Sequence, residues 1–401
     1  MNFYQMSKYY FLALALLVAC TQAKETIKND VETIVINTEE IEDSVDISSI
    51  IKEIRFVPLE DKDGDYLKGA DRVLITKDHY ILFDRFNSGE VKVYDRLGKL
   101  VKQVGEKGPG PLEVRQINDY WLNEEGCLEI YDFNLKKIVV FDKEFIAESS
   151  FKTKDPLIFH NVTQLVGDDG GYVGFKAYSG FNGPFNDVYY KIGFLDKDFS
   201  LKNTALSYPA ELDWASVTVP ISPFARYRDS IRFYQNFDPT IYHVQSADTL
   251  IKRFAIKYQP NPMPENWEQE VILPNGAYFK SRKHDFEKVK SIFKGKSGFA
   301  GSWKESSKYA VINSFDENYG RFHSLYSKSE NKVIANGRAF IENERYHIAL
   351  PPIQVVDEEK EMFVGVWQGA LLKEYILMEN SPFHEKIKDV ESFYLIEVTF
   401  K

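Results

Sequence analysis

Apolar residues fall along this chain in short runs broken by turn residues, and the runs come in pairs. Tyr80-Ile81-Leu82-Phe83-Asp84 is followed by Val91-Lys92-Val93-Tyr94-Asp95 and then by Gly98-Lys99-Leu100. The same order returns as Leu128-Glu129-Ile130-Tyr131-Asp132, Ile138-Val139-Val140-Phe141-Asp142 and Lys143-Glu144-Phe145. The strand-end aspartates repeat at offsets of 48 (84 to 132) and 47 (95 to 142). Runs rich in β-branched and aromatic residues, bounded by Gly and Asp, read as strands. A strand–turn–strand–turn unit at a period in the forties predicts propeller blades.

Weaker copies continue to the end of the chain. Tyr172–Phe175 pairs with Tyr190–Asp196, and Ile231–Tyr234 precedes Thr240–Val244 and Leu250–Ile256. A fifth unit comprises Tyr309–Asn313, Phe322–Tyr326 and Lys332–Ala335, and a sixth Met362–Val366 and Tyr394–Phe400. The expected fold is all-β, a six-bladed β-propeller of antiparallel strands over residues 47–401. The run Ile54-Arg55-Phe56-Val57-Pro58-Leu59 has no partner in the first unit. Its expected role is outer strand of the last blade, closing the ring and removing an open edge. Two insertions carry helical spacing: Ser281 to Gly295, with Phe286, Val289, Ile292 and Phe293, and Asn380 to Val390, with Phe383, Ile387 and Val390 on one face.

The first residues follow another pattern. One early charge, Lys8, precedes an apolar run from Tyr9 to Ala19 that ends in Leu17-Val18-Ala19-Cys20. A charged start, a short apolar stretch and small residues before a break read as an export signal. The quartet resembles the lipobox of bacterial lipoproteins, which implies cleavage before Cys20, acylation of that residue and a cell-envelope location, with outer membrane favoured by Thr21. Residues 1–19 are then the signal and 20–46, mostly polar, a tether.

Charge and cysteine content narrow the partners. The 401-residue chain has a net charge of −10, which becomes −11 once Lys8 leaves with the signal. Without a basic block, nucleic acid is not an expected partner; the membrane is reached through the N-terminal lipid instead. Cys20 and Cys127 are the two cysteines. A lipidated Cys20 leaves Cys127 unpaired, in a strand-like run where burial is expected.

These features together resemble the six-bladed β-propeller lipoproteins of Bacteroidetes, similar in look to NHL and TolB-type propellers. The resemblance rests on Ile51–Glu60, on the strand-end Tyr-Asp and Phe-Asp pairs followed by Gly98-Lys99, and on Gly105-Glu106-Lys107-Gly108-Pro109-Gly110-Pro111-Leu112-Glu113. The last is similar to the family's Gly-Pro-Gly-Glu loop, with Pro111-Leu112 intervening. The resemblance implies the fold and carries no activity with it.

Candidate chemistry is sparse. The glycine loop lacks the Gly-Lys-Ser/Thr ending of a phosphate cradle and reads as an inter-blade turn. Should it contact a ligand, Lys107, Glu113 and Arg115 would face the ring mouth. The histidines form no zinc pattern, no Gly-x-Ser-x-Gly elbow exists, and Asp61-Lys62-Asp63-Gly64-Asp65 lacks the later Glu of a calcium loop. No cofactor or metal is expected. Positions just before the inner strands should ring the funnel: Asp71, Gln116, Asn118, His160, Asn161 and Ser222. The expected function is a binding module for a glycan, a peptide or an envelope protein. The alternatives are a hydrolase or lyase acting on an extracellular saccharide or lactone, which requires converging carboxylates or a divalent ion, and a structural scaffold.

Overall fold

A computed structural model describes residues 26–60, 67–154, 157–167, 170–178, 183–213, 222–246, 248–281 and 285–401. The chain opens with β1 (Thr26–Asn37), β2 (Glu42–Asp46) and β3 (Ile51–Pro58). Six sheets follow in chain order. Blade 1 holds β4 (Arg72–Ile75), β5 (His79–Asp84), β6 (Glu90–Asp95) and β7 (Leu100–Val104). Blade 2 holds β8 (Asp119–Leu122), β9 (Leu128–Asp132), β10 (Lys137–Phe141) and β11 (Ala147–Lys152). Blade 3 holds β12 (Asn161–Gln164), β13 (Tyr172–Phe175), β14 (Tyr190–Leu195) and β15 (Leu201–Ser207). Blade 4 holds β16 (Phe224–Tyr227), β17 (Ser230–Phe233), β18 (Thr240–Ser246) and β19 (Thr249–Gln259). Blade 5 holds β20 (Gly298–Glu305), β21 (Tyr309–Phe315), β22 (Arg321–Ser327) and β23 (Lys332–Glu342), with β24 (Ile348–Ala349) added to β23. Blade 6 holds β25 (Ile353–Asp357), β26 (Met362–Gln368) and β27 (Phe393–Phe400).

The first strand of each blade is innermost: β8 touches β12, β12 touches β16, β16 touches β20, β20 touches β25 and β25 touches β4. Blade faces are buried against the next blade, so alternate residues of a strand serve two different interfaces. In β5, Ile81 and Phe83 pack with Tyr120, Leu128 and Ile130 of blade 2. Tyr80 and Leu82 turn the other way, onto Val364 and Leu395 of blade 6. Four further clusters fill the interfaces of blades 2 and 3, 3 and 4, 4 and 5, and 5 and 6. The strands therefore read as near-continuous apolar runs, which is why the repeat is visible.

Ring closure follows the expected route. β3 runs antiparallel to β27 with Val57 opposite Leu395, and supplies the fourth strand of blade 6. Residues 26–46 depart from the expected tether. β1 pairs parallel with β19 along the outer edge of blade 4, and β2 pairs parallel with β23 of blade 5. Ile34 and Ile36 are 1 % and 0 % exposed between those two blades. An edge strand has one solvated face, so Val31 and Val35 stay exposed and the segment looks polar. The N-terminal segment is thus a belt around the rims of three successive blades.

Among the described residues three short α-helices lie outside the blades: α1 (Gly276–Lys280), α2 (Phe286–Phe293) and α3 (Gly369–Tyr375). α2 matches the expectation for 281–295, starting where the Asp285 carboxylate accepts the Lys288 N–H at 3.1 Å. The expected helix at 380–390 is only a 3₁₀ turn, His384–Lys386. Phe383 and Ile387 still face the core, Phe383 stacking between Phe56 and Tyr346, so burial there needs no full helix. Cys127 sits in the β8–β9 turn and is half-buried rather than buried; burial raises its thiol pKa, which keeps it protonated.

Candidate functional site

Strand direction alternates within a blade, so inner-strand starts and the turns after second strands share one face of the ring, the mouth face. The remaining turns share the opposite, hairpin face. There Glu358 accepts the Arg228 N–H, and Ser307 bonds Glu361, tying the first turns of blades 4, 5 and 6 to one another.

Asp71, Asn118 and His160 occupy equivalent positions on the mouth face, each one residue before an inner strand. Each donates its backbone N–H to the second strand of its blade, to the carbonyls of Phe83, Tyr131 and Phe175, all at 2.9 Å. The side chains then part company. The Asp71 carboxylate accepts the Arg85 N–H at 2.8 Å, and the Asn118 carbonyl accepts the Phe133 N–H at 2.9 Å. Both are consumed in fixing the turn after the second strand. His160 has no such duty, and among the described residues its ring makes no hydrogen bond. Burial and the nearby Arg85 charge push its pKa down to about 4, so the ring is neutral at neutral pH. The Arg85 guanidinium, which also acts on Asp71 and Asp119, forms no ion pair among the described residues.

Beneath this mouth a polar hoop ties inner strands together. Gln354 Nε2 of blade 6 donates to the Ala70 carbonyl at 2.9 Å. Arg72 of blade 1 pairs with Asp119 of blade 2, and Tyr120 Oη donates to the Arg72 carbonyl at 3.0 Å. Asp119 Oδ2 accepts the Val162 N–H of blade 3 at 2.6 Å. Burial raises the Asp119 pKa, while Arg72 and the amides pull it back. Farther round, Arg226 on β16 is exposed to solvent, yet surrounding protein lowers its pKa.

The remaining expected residues serve the backbone. Glu113 curls back to accept the Gly110 N–H at 2.8 Å, and Lys137 Nζ reaches the Gly110 and Pro111 carbonyls at 2.6 and 3.0 Å. A Cβ on Gly108 would lie 1.8 Å from the Glu113 carboxylate, so any larger residue there would push that carboxylate aside. Lys107 Nζ donates to the Ser88 carbonyl at 3.1 Å. Arg115 and Gln116 are exposed, and their N–H groups bond Asp132 Oδ2 at 2.6 and 3.2 Å. Ser222 Oγ donates to the Phe224 carbonyl at 3.1 Å, and Asn161, the first residue of β12, is buried. No hydrogen bond or ion pair among the described residues joins these groups to His160. Among the described residues no group of three His, Cys, Asp or Glu side chains could hold a metal ion. Cys20 and Asp61–Asp65 lie outside the described residues. The sequence reading missed Arg72, Arg85 and Asp119. Arg85 alone carried a signal, since it follows the repeated strand-end aspartate.

Two histidines should make the fold acid-labile. His323 bonds Asn313 at 2.6 Å, and burial and Arg321 push its pKa to about 4, matching His160. Above pH 6.5 both rings are neutral in either state and contribute nothing. Between pH 6.5 and 4 the unfolded chain takes up protons that the folded chain refuses, so stability falls as pH falls. At pH 5 the expected loss is about 1–2 kcal/mol per histidine. Urea unfolding at pH 7.5 and 5.0 measures it, and the pair His160→Gln/His323→Gln should flatten the difference; an unflattened loss points to other groups.

The six-sheet ring and its hoop define a six-bladed β-propeller with a polar mouth. The model of the family described as Domain of unknown function (DUF4934) matches residues 31–393, and the chain belongs to that family. Its fold is similar to that of a Bacteroides fragilis protein proposed to be exported, with a TM-score of 0.71 at 16% identity, covering 92% of this chain and 99% of that one. It is also similar to a member of the DUF4221 family from Bacteroides vulgatus, with a TM-score of 0.49 at 10% identity, covering 88% and 97%. At such identities the likeness extends to fold alone. A comparison with curated proteins finds no match. Among the described residues no helix is long and apolar enough to cross a membrane.

Proposed function

We propose that this propeller is a lipid-anchored envelope protein, acylated at Cys20, that binds a glycan, peptide or envelope-protein ligand at the ring mouth, with His160 and Arg85 as contacts. The carrying observation is the release of His160 from the turn-fixing role that its equivalents Asp71 and Asn118 perform. A half-buried polar ring without a partner among the described residues lowers no folding energy through them, so its use lies in a ligand. Binding is favoured over acid–base catalysis by the depressed pKa of about 4, far from the value suited to proton transfer near pH 7. The neutral ring offers one donor and one acceptor, and Arg85 adds a forked cation.

Screening the purified ring against envelope glycans and peptides should find a ligand whose affinity falls about tenfold or more, roughly 1.4 kcal/mol or more, in His160→Ala. The urea midpoint at pH 7.5 should hardly move. Equal ligand affinity in His160→Ala moves the site elsewhere, and turnover of a saccharide or lactone would replace the binding reading with the enzyme.

A further inference from the structure

We infer that the membrane lies against the outer rim of blade 4 on the hairpin face, so that the ring mouth points away from the bilayer. The inference rests on acylation of Cys20 as proposed above. It follows from where the belt begins. β1 is the outermost strand of the blade 4 sheet, and its first residue, Thr26, stands opposite Thr249, the first residue of β19. Thr249 follows the β18–β19 turn, which belongs to the hairpin face together with the turns that join Arg228 to Glu358. Inner-strand starts, His160 among them, belong to the other face.

The attachment is firm. The ladder between β1 and β19 continues to the pair Asn37 and Gln259, and Ile34 and Ile36 are buried beneath it. Six residue steps separate Cys20 from Thr26. Fully extended, they span at most about 22 Å. Carrying the anchor from the hairpin end to the mouth end of β19 would need about 33 Å, ten steps of roughly 3.3 Å each. The leash is too short to let the ring turn over and press its mouth to the lipid. Charge does not reverse this, because a chain of net charge −11 after loss of Lys8 gains nothing from an anionic surface. Ligands therefore reach the mouth from the side away from the membrane.

The test uses the full-length acylated protein in vesicles of phosphatidylethanolamine and phosphatidylglycerol containing brominated lipid. In a Cys127→Ser background, a fluorophore is placed at Gln245→Cys, exposed beside the β18–β19 turn, or at Glu265→Cys, exposed past the far end of β19. Quenching is expected to be at least fivefold stronger at 245. Inserting twenty Gly/Ser residues between Cys20 and Thr26 should abolish the contrast. Equal or reversed quenching in protein whose Cys20 peptide carries acyl chains by mass spectrometry overturns the orientation and leaves the anchor standing. A Cys20 peptide without acyl chains overturns both.

Discussion

A variant that begins at Leu59 should not fold cooperatively, whereas one with residues 47–60 moved to the C-terminus should. Without β3, the β27 edge is unpaired and blade 6 keeps three strands. The truncation also takes β1 and β2; from β3 alone, Ile51, Ile54, Phe56 and Val57, all buried, are lost. At roughly 1.5–3 kcal/mol for each buried side chain, the loss is about 6–12 kcal/mol. That is comparable to the whole stability of an ordinary domain, roughly 5–15 kcal/mol. The buried Glu397 also loses Arg55 and, among the described residues, keeps Arg96 and Tyr80. The Lys401 N–H bonds the Ile50 carbonyl at 2.9 Å, so the end of β27 already touches the start of β3. A short Asn-Gly turn can join them as a hairpin. Urea unfolding followed by fluorescence reads both variants. An unchanged midpoint in the truncated chain would mean that something other than β3 closes the ring; failure of the graft would mean that β3 must be delivered by the belt.

That contrast shows what the sequence made legible. Strands buried on both faces, such as Tyr80–Asp84 and Leu128–Asp132, stand out as apolar runs, and their spacing reveals the blade count. Ile54–Leu59 was readable because it was apolar and unmatched within the first repeat. The inner strands of blades 1 to 3 are short: Arg72–Ile75, Asp119–Leu122 and Asn161–Gln164 have four residues each, and each opens on a polar residue. No periodicity survives in so few positions. The belt hid for a different reason. In Val31–Asn37 the apolar residues alternate, Ile34 and Ile36 buried and Val31 and Val35 exposed, so the run is too short and polar to stand out, and parallel pairing with a strand over 200 residues away leaves no local mark.

The site was half legible in the same way. Counting blades placed Asp71, Asn118 and His160 at the mouth, because each precedes an inner strand. Counting could not separate them, since what distinguishes His160 is a hydrogen bond that Asp71 and Asn118 make and it does not. Arg72 and Asp119 escaped because their pairing joins two blades, 47 residues apart. A polar residue opening a strand gives no hint of a partner in the next repeat.

Asp119→Ala should be the most damaging single substitution in the inner hoop, costing about 3–5 kcal/mol. Arg72 is 9 % and Asp119 2 % exposed, so removing the carboxylate strands a buried guanidinium. The Val162 N–H loses its acceptor at the same stroke. Arg72→Met should cost a similar amount, and the double variant less than the sum, since the buried pair is then gone as a unit. Lys332→Ala, which breaks the exposed pair with Glu330, is the control and should leave the urea midpoint in place. Additive single losses would show that Arg72 and Asp119 stabilise the ring independently. Asp119 also connects stability to the mouth, because Val162 lies two residues beyond His160 on the strand it holds. Asp119→Asn keeps an oxygen for that amide while giving up the charge. It should lose stability yet retain ligand affinity, whereas Asp119→Ala should lose both, even far from its unfolding transition. Equal affinity in the two variants would separate the hoop from the site and leave His160 held by its own bond to Phe175 alone.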